Sequence, residues 1–121
     1  METRDFTCNQ EGLIAAQEFL ESLFQEPKPG IIMDEIVSNI VRCSGASKFE
    51  IALGRTDDGV LMKFRDDGKA FDPTTEIEAP DIEAGLSERK IGGLGIFMVK
   101  KMSKSVSYAR EGDRNVLTVV V

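Results

Sequence analysis

The chain has 121 residues, a net charge of −6, and 41% hydrophobic against 30% charged residues. That balance suits one globular domain spanning 1–121 and leaves no room for a second core. The acidity disfavours a nucleic-acid backbone as partner. The absence of histidine excludes Ser–His–Asp and Cys–His nucleophilic sites, zincin-type metal sites and a phospho-accepting imidazole within these residues.

Cys8 and Cys43 lack CxxC spacing, so a structural zinc site is not expected and reduced thiols in the cytoplasm are. The start, Met1 to Asp5, is acidic and is followed by no apolar signal core, and no apolar run approaches the ~18 residues of a spanning helix. The expectation is a cytoplasmic protein that does not engage a membrane. Leu13, Ala16, Leu20, Leu23 and Phe24 then recur at helical spacing. Asn9 is placed to cap this first helix and Pro27-Lys-Pro-Gly30 to stop it. A second helix is predicted over Ile31 to Cys43, with Ile32, Met33, Ile36, Val37, Ile40 and Val41 on its apolar face and Asp34, Glu35, Ser38, Asn39 and Arg42 on its polar stripe.

Phe49, Ile51 and Leu53 alternate, a Thr-Asp-Asp-Gly59 turn follows, and Val60, Met62 and Phe64 alternate again, which reads as a β-hairpin. From Asp72 to Gly92 the composition changes. Asp72, Glu76, Glu78, Asp81, Glu83 and Glu88 outnumber Arg89 and Lys90, with Pro73 and Pro80 among them, and a long mobile loop of the lid or binding type is expected. Beyond it, Leu94, Phe97, Met98 and Met102 return to helical spacing, with Lys100, Lys101 and Lys104 at the end where they complement the helix dipole. A second hairpin closes the sequence, Val106 and Tyr108 leading through Glu-Gly-Asp to the β-branched run Asn115 to Val121. Helices and hairpins without βαβ alternation imply an α+β two-layer sandwich, a mostly antiparallel sheet with three helices on one face.

Three features carry chemistry. Glu35 and Asn39, four apart, are neighbours on one helix surface; a carboxylate beside a carboxamide oxygen can position water, a hydroxyl or Mg²⁺, and the same pair also suits a solvated stripe. In Arg65-Asp-Asp-Gly-Lys-Ala-Phe-Asp-Pro73, the period-2 phase puts Asp66 on the face of Val60, Met62 and Phe64. A half-buried carboxylate needs a donor, either a protein group or the exocyclic amine of a bound base. Gly68 lets backbone approach a flat ligand closely, whereas a loop Asp capping amides is the plainer alternative. In Ile91-Gly-Gly-Leu-Gly-Ile-Phe-Met98, glycines run straight into a helix, which suits either an anion site or a tight turn.

In order and spacing, Glu35-x-x-x-Asn39, Asp66-x-Gly68-x-Ala70-Phe-Asp-Pro73 and Gly92-Gly-Leu-Gly95 resemble the N, G1 and G2 boxes of the GHKL (Bergerat-fold) ATPase superfamily. Within it, "IGGLGIFMVKKM" and the ending "REGDRNVLTVVV" are most similar to the bacterial anti-sigma factor serine kinases. The resemblance implies a Bergerat fold with residues 72–92 as ATP lid, and ATP and Mg²⁺ as cofactors. It makes Glu35 the general base or water-orienting residue, Asn39 the Mg²⁺ ligand and Asp66 the acceptor of the adenine amino group, with Gly68 under the base. Ala70 takes the place of the family's second G1 glycine and adds a methyl group there. Gly92, Gly93, Leu94 and Gly95 would present amides to the phosphates, and Arg89 or Lys90 would reach the γ-phosphate. The implied activity is phosphorylation of a serine or threonine on a STAS-type anti-anti-sigma protein, coupled to sequestration of a sigma factor and hence to transcription, by a homodimer. The alternative is a nucleotide-gated binding protein that transfers no phosphate.

Overall fold

The computed structural model describes residues 1–72 and 93–121. Five strands, β1 (Glu2–Thr7), β2 (Lys48–Thr56), β3 (Gly59–Asp66), β4 (Ser105–Glu111) and β5 (Arg114–Val120), form one sheet in the order β1-β2-β3-β5-β4. All four pairings are antiparallel. Three helices, α1 (Gln10–Leu23), α2 (Pro27–Cys43) and α3 (Gly93–Met102), complete the described elements. The arrangement is α+β, a five-stranded antiparallel sheet with three helices, as the sequence suggests.

The alternation of β2 and β3 decides which face the helices cover. Phe49, Ile51 and Leu53 of β2 lie opposite Asp66, Phe64 and Met62 of β3, and those in turn face Asn115, Leu117 and Val119 of β5. One face of the sheet therefore collects the apolar side chains. It meets Ala16, Phe19 and Leu20 of α1, Ile32, Met33, Ile36 and Val37 of α2 and Val99 of α3 in a single core. Each fully buried Phe, Ile, Leu or Met in such a core contributes about 1.5–3 kcal/mol.

Two elements differ from the sequence reading. Residues 2–7, read above only as lacking an apolar signal core, form the edge strand β1. Its ladder to β2 runs from Glu2↔Leu53 to Thr7↔Lys48, and Phe6 stacks on Phe49 at 5.3 Å and tilts against Phe19 at 6.0 Å. One well-seated aromatic and a ladder supplied by its neighbour suffice for an edge strand whose other residues are polar. The second difference is Pro27-Lys-Pro-Gly30. It opens α2 instead of merely stopping α1, because proline fixes φ near the helical value and gives up only an N–H that the first turn leaves unpaired.

Asn9 caps α1 as its position suggests, its side chain accepting from Gly12 N at 2.9 Å. Gly12 is buried, and a Cβ there would lie 1.8 Å from the Thr7 carbonyl oxygen. The helix can leave β1 so abruptly only because that atom is missing.

Candidate functional site: a cleft between the second helix and the sheet

β3 delivers Asp66 into the interior. Its last four inward positions are Val60, Met62, Phe64 and Asp66, and all four are buried, Asp66 at 7% exposure. A carboxylate so placed must be paired with donors. Asp66 Oδ1 accepts from Gly68 N at 2.9 Å and from Asn115 Nδ2 at 3.0 Å. Among the described residues these donors all go to Oδ1.

Asn115, 5% exposed, stands opposite Asp66 in the β3–β5 ladder. Sequence reasoning missed it, although the signal was present: in the run Asn115 to Val121 it shares the phase of Leu117 and Val119 and is thus a polar residue on a core face. Its Nδ2 also donates to the Lys69 carbonyl at 2.8 Å, while its Oδ1 accepts from Phe71 N at 3.2 Å, Arg110 Nη1 at 3.2 Å and the Tyr108 hydroxyl. Arg110 Nη1 further donates to the Gly68 carbonyl at 2.9 Å.

Gly68 is demanded by packing at this point. A Cβ would sit 2.4 Å from the Ser44 carbonyl oxygen and 2.9 Å from Asp66 Oδ1. The chain leaving β3 thereby lies against the end of α2, where Lys69 N donates to Ser44 O at 3.2 Å and Ser44 Oγ donates to Ile40 O at 2.6 Å. Asp67 points the other way and accepts from Ser47 N at 2.9 Å and Ser47 Oγ at 2.7 Å. The hydroxyl hydrogen bond and the backbone donors of Ser47 and Lys48 hold its carboxyl below the usual aspartate range. Behind Asp66, burial pushes the Cys8 thiol up against the lowering effect of Ser44, and the Asp66 and Asp67 charges add to the rise.

Asn39 forms the opposite wall. Ile36, Asn39 and Ile40 of α2, Phe64 and Asp66 of β3, Phe71, Tyr108, Asn115 and Leu117 line one cleft whose empty volume, open mouth included, is ≈ 480 Å³. Its walls are mostly apolar and aromatic with a few convergent polar groups, the composition of a small-molecule site. Asn39 Oδ1 accepts from Arg42 Nη2 at 3.1 Å, and Asn39 Nδ2 is buried with no partner among the described residues. A half-satisfied buried amide on a cleft wall fits a ligand that completes it. With the bond from the exposed Arg42 given up and the amide turned over, its oxygen would be offered as a hard ligand for Mg²⁺. No group of three or more carboxylate or thiol side chains able to hold a metal occurs among the described residues.

The structure thus brings Asn39, Asp66 and Gly68 together. Glu35, four residues before Asn39 on α2, does not line this cleft. It is half-buried in shallow grooves between α2 and α1, beside Gln10 and Leu13 on one side and Gln17 and Leu20 on the other. Ala70 is exposed just past Gly68. Gly93, Leu94 and Gly95 belong to the first turn of α3, which packs on α2. Gly92, Arg89, Lys90 and the rest of the acidic segment after Asp72 lie outside the described residues. No helix among the described residues is long and apolar enough to cross a membrane.

With this geometry in hand, the chain can be placed among known proteins. Its fold is similar to that of the Acinetobacter baumannii histidine kinase AdeS, with a TM-score of 0.57 at 15% identity over 98% of this chain, which spans 66% of the AdeS chain. No curated protein matches the sequence. The profile of the histidine kinase-like ATPase domain matches residues 14–121; the chain belongs to that family, within the GHKL ATPase superfamily.

Proposed function

We propose that this domain binds Mg·ATP in the cleft between α2 and the sheet and transfers the γ-phosphoryl group to a serine or threonine of a STAS-type anti-anti-sigma protein, sequestering a sigma factor as the second half of the same switch. The observation that carries the nucleotide reading is Asp66. It is a buried carboxylate with its hydrogen bonds gathered on one oxygen, on the wall of an apolar cleft. The apolar, aromatic walls suit the faces of a flat ring and the carboxylate suits an N–H donor on that ring's edge, and adenine offers both. Asn39 and the metal would hold the phosphates, and Mg²⁺, when bound, would neutralise charge developing on the transferred group. The serine acceptor, the STAS partner and the sigma factor rest on the resemblance of the "IGGLGIFMVKKM" run and the closing strand to the anti-sigma factor kinases.

A nucleotide-gated regulator that transfers no phosphate is favoured by one observation: Glu35, the residue assigned to proton abstraction, faces α1 and not the cleft. Single-turnover transfer from γ-labelled ATP to a STAS-type partner that the protein captures separates the readings. Under the kinase reading Glu35→Gln keeps nucleotide affinity within a few-fold and slows transfer by about 10²–10⁴, the usual contribution of a positioned base. No transfer by the wild type to a captured partner would establish the gated regulator instead.

A further inference from the structure

We infer that Asn115 is the positioning residue of the base site: it fixes Asp66 by one carboxylate oxygen, leaves the other for a purine 6-amino group, and ties the chain leaving β3 to the same point. The inference rests on the nucleotide reading above and concerns how that site chooses its base.

Counting donors and acceptors carries the argument. Both Nδ2 hydrogens of Asn115 are used, one on Asp66 Oδ1 at 3.0 Å and one on Lys69 O at 2.8 Å. Its Oδ1 takes Phe71 N, the Tyr108 hydroxyl and Arg110 Nη1, more donors than its two lone pairs serve comfortably. The amide orientation is therefore fixed, because turning it over would set an NH₂ group against three donors. Asn115 also has nothing left with which to touch a ligand. Whatever it does for base recognition passes through Asp66 and through the placement of Lys69 and Phe71.

Asp66 Oδ1 is in turn filled by Asn115 and Gly68 N. An ionised carboxylate is an acceptor only, so the oxygen that remains asks for a donor. A 6-amino purine supplies one; a purine lacking that substituent does not. The hydrogen bonds to Lys69 and Phe71 mean that the same side chain anchors the first residues after β3. Orientation of the base acceptor and the path of the chain beside it are therefore set together.

Calorimetric titration of the full chain with ATP and with purine riboside 5′-triphosphate, which lacks the 6-amino group, tests this. Wild type should prefer ATP. Asn115→Ala should lose about tenfold or more in ATP affinity, as expected when a buried hydrogen bond to a charged group is removed, while its affinity for the amino-free nucleotide stays within a few-fold. Asn115→Asp keeps the shape but faces Asp66 with a second carboxylate, with the Arg110 guanidinium and the Tyr108 hydroxyl on its other side. Arg110 offsets part of the repulsion, the close like charges still favour a proton on the pair, and ATP affinity should recover as pH falls from about 8 to about 5.5. Equal losses for both nucleotides in Asn115→Ala would reduce Asn115 to a structural role and overturn the inference. If that variant fails to melt cooperatively, Asn115→Asp decides: ATP binding as tight as wild type and independent of pH overturns it. Wild type that binds both nucleotides equally removes the inference while leaving the ATP site standing. Wild type that binds neither removes the nucleotide reading and the inference with it.

Discussion

The two walls of the cleft are built to different standards. On the sheet side, Asp66, Asn115, Gly68, Tyr108 and Arg110 are joined in one network that leaves only the second oxygen of Asp66 without a donor among the described residues. On the helix side, Asn39 has one bond, from an exposed Arg42, and a buried Nδ2 with none among the described residues. The sheet wall lacks one donor, at the second oxygen of Asp66, whereas on the helix wall the amide that would meet a ligand is itself held by a single exposed partner. Under the proposed ATP reading, such a site would be pre-organised at its base end and would assemble its phosphate end on binding.

Three perturbations sharpen the contrast, the largest effect first. Asn39→Ala removes a group the fold does not use. Magnesium-dependent ATP affinity should fall by more than tenfold while the melting temperature stays unchanged, because a change that breaks no satisfied buried contact typically moves stability by less than ~0.5 kcal/mol. Titration with and without Mg²⁺ beside a thermal melt checks it, and a large drop in melting temperature would erase the difference between the walls. Gly68→Ala strikes the sheet wall. With a Cβ forced to 2.4 Å from the Ser44 carbonyl, chemical denaturation should show a loss of about 1–3 kcal/mol, the range for overpacking, and ATP binding should weaken with it. A variant as stable as wild type would mean that the chain leaving β3 shifts freely.

The smallest effect concerns Asp67, which fastens that same wall to the start of β2. Its carboxyl sits below its unfolded value because Ser47 and the Ser47 and Lys48 amides bind the charged form. Its contribution to stability is thus present above the unfolded aspartate pKa and is lost as pH falls through the lower folded one. Denaturation midpoints should decline toward acid in the wild type, and Asp67→Asn should flatten that decline slightly. An identical acid limb in both proteins would show that these hydrogen bonds contribute nothing to folding.

Much of this was legible from the residues, and the reasons differ by element. Asp66 was readable because a strand of period 2 carries its phase forward: three apolar side chains ahead of it fix the face it must share. Asn39 was readable as a neighbour of Glu35, but which way each looks depends on how α2 rolls between α1 and the sheet, and no spacing along one helix contains that. The inward phase of Asn115 was readable beside Leu117 and Val119, but its partnership with Asp66 required knowing that β5 lies beside β3, a pairing between residues far apart in sequence. β1 was illegible for a related reason. Glu2, Thr3, Arg4 and Asp5 have no apolar rhythm, and their strand exists because β2 offers a ladder and Phe49 offers a ring.

The junction at Gly12 has its own consequence for how this sequence can vary. With the Thr7 carbonyl occupying the place of a Cβ, no side chain fits there unless β1 and α1 part company, and the aromatic contacts of Phe6 with Phe19 and Phe49 would part with them. In a saturation library selected only for soluble folded protein, position 12 should return a single codon family, while the neighbouring exposed Glu11 accepts most of the alphabet. A scan that never tests nucleotide binding would then draw its sharpest boundary more than fifty residues from Asp66, at a corner of the molecule with no part in its chemistry.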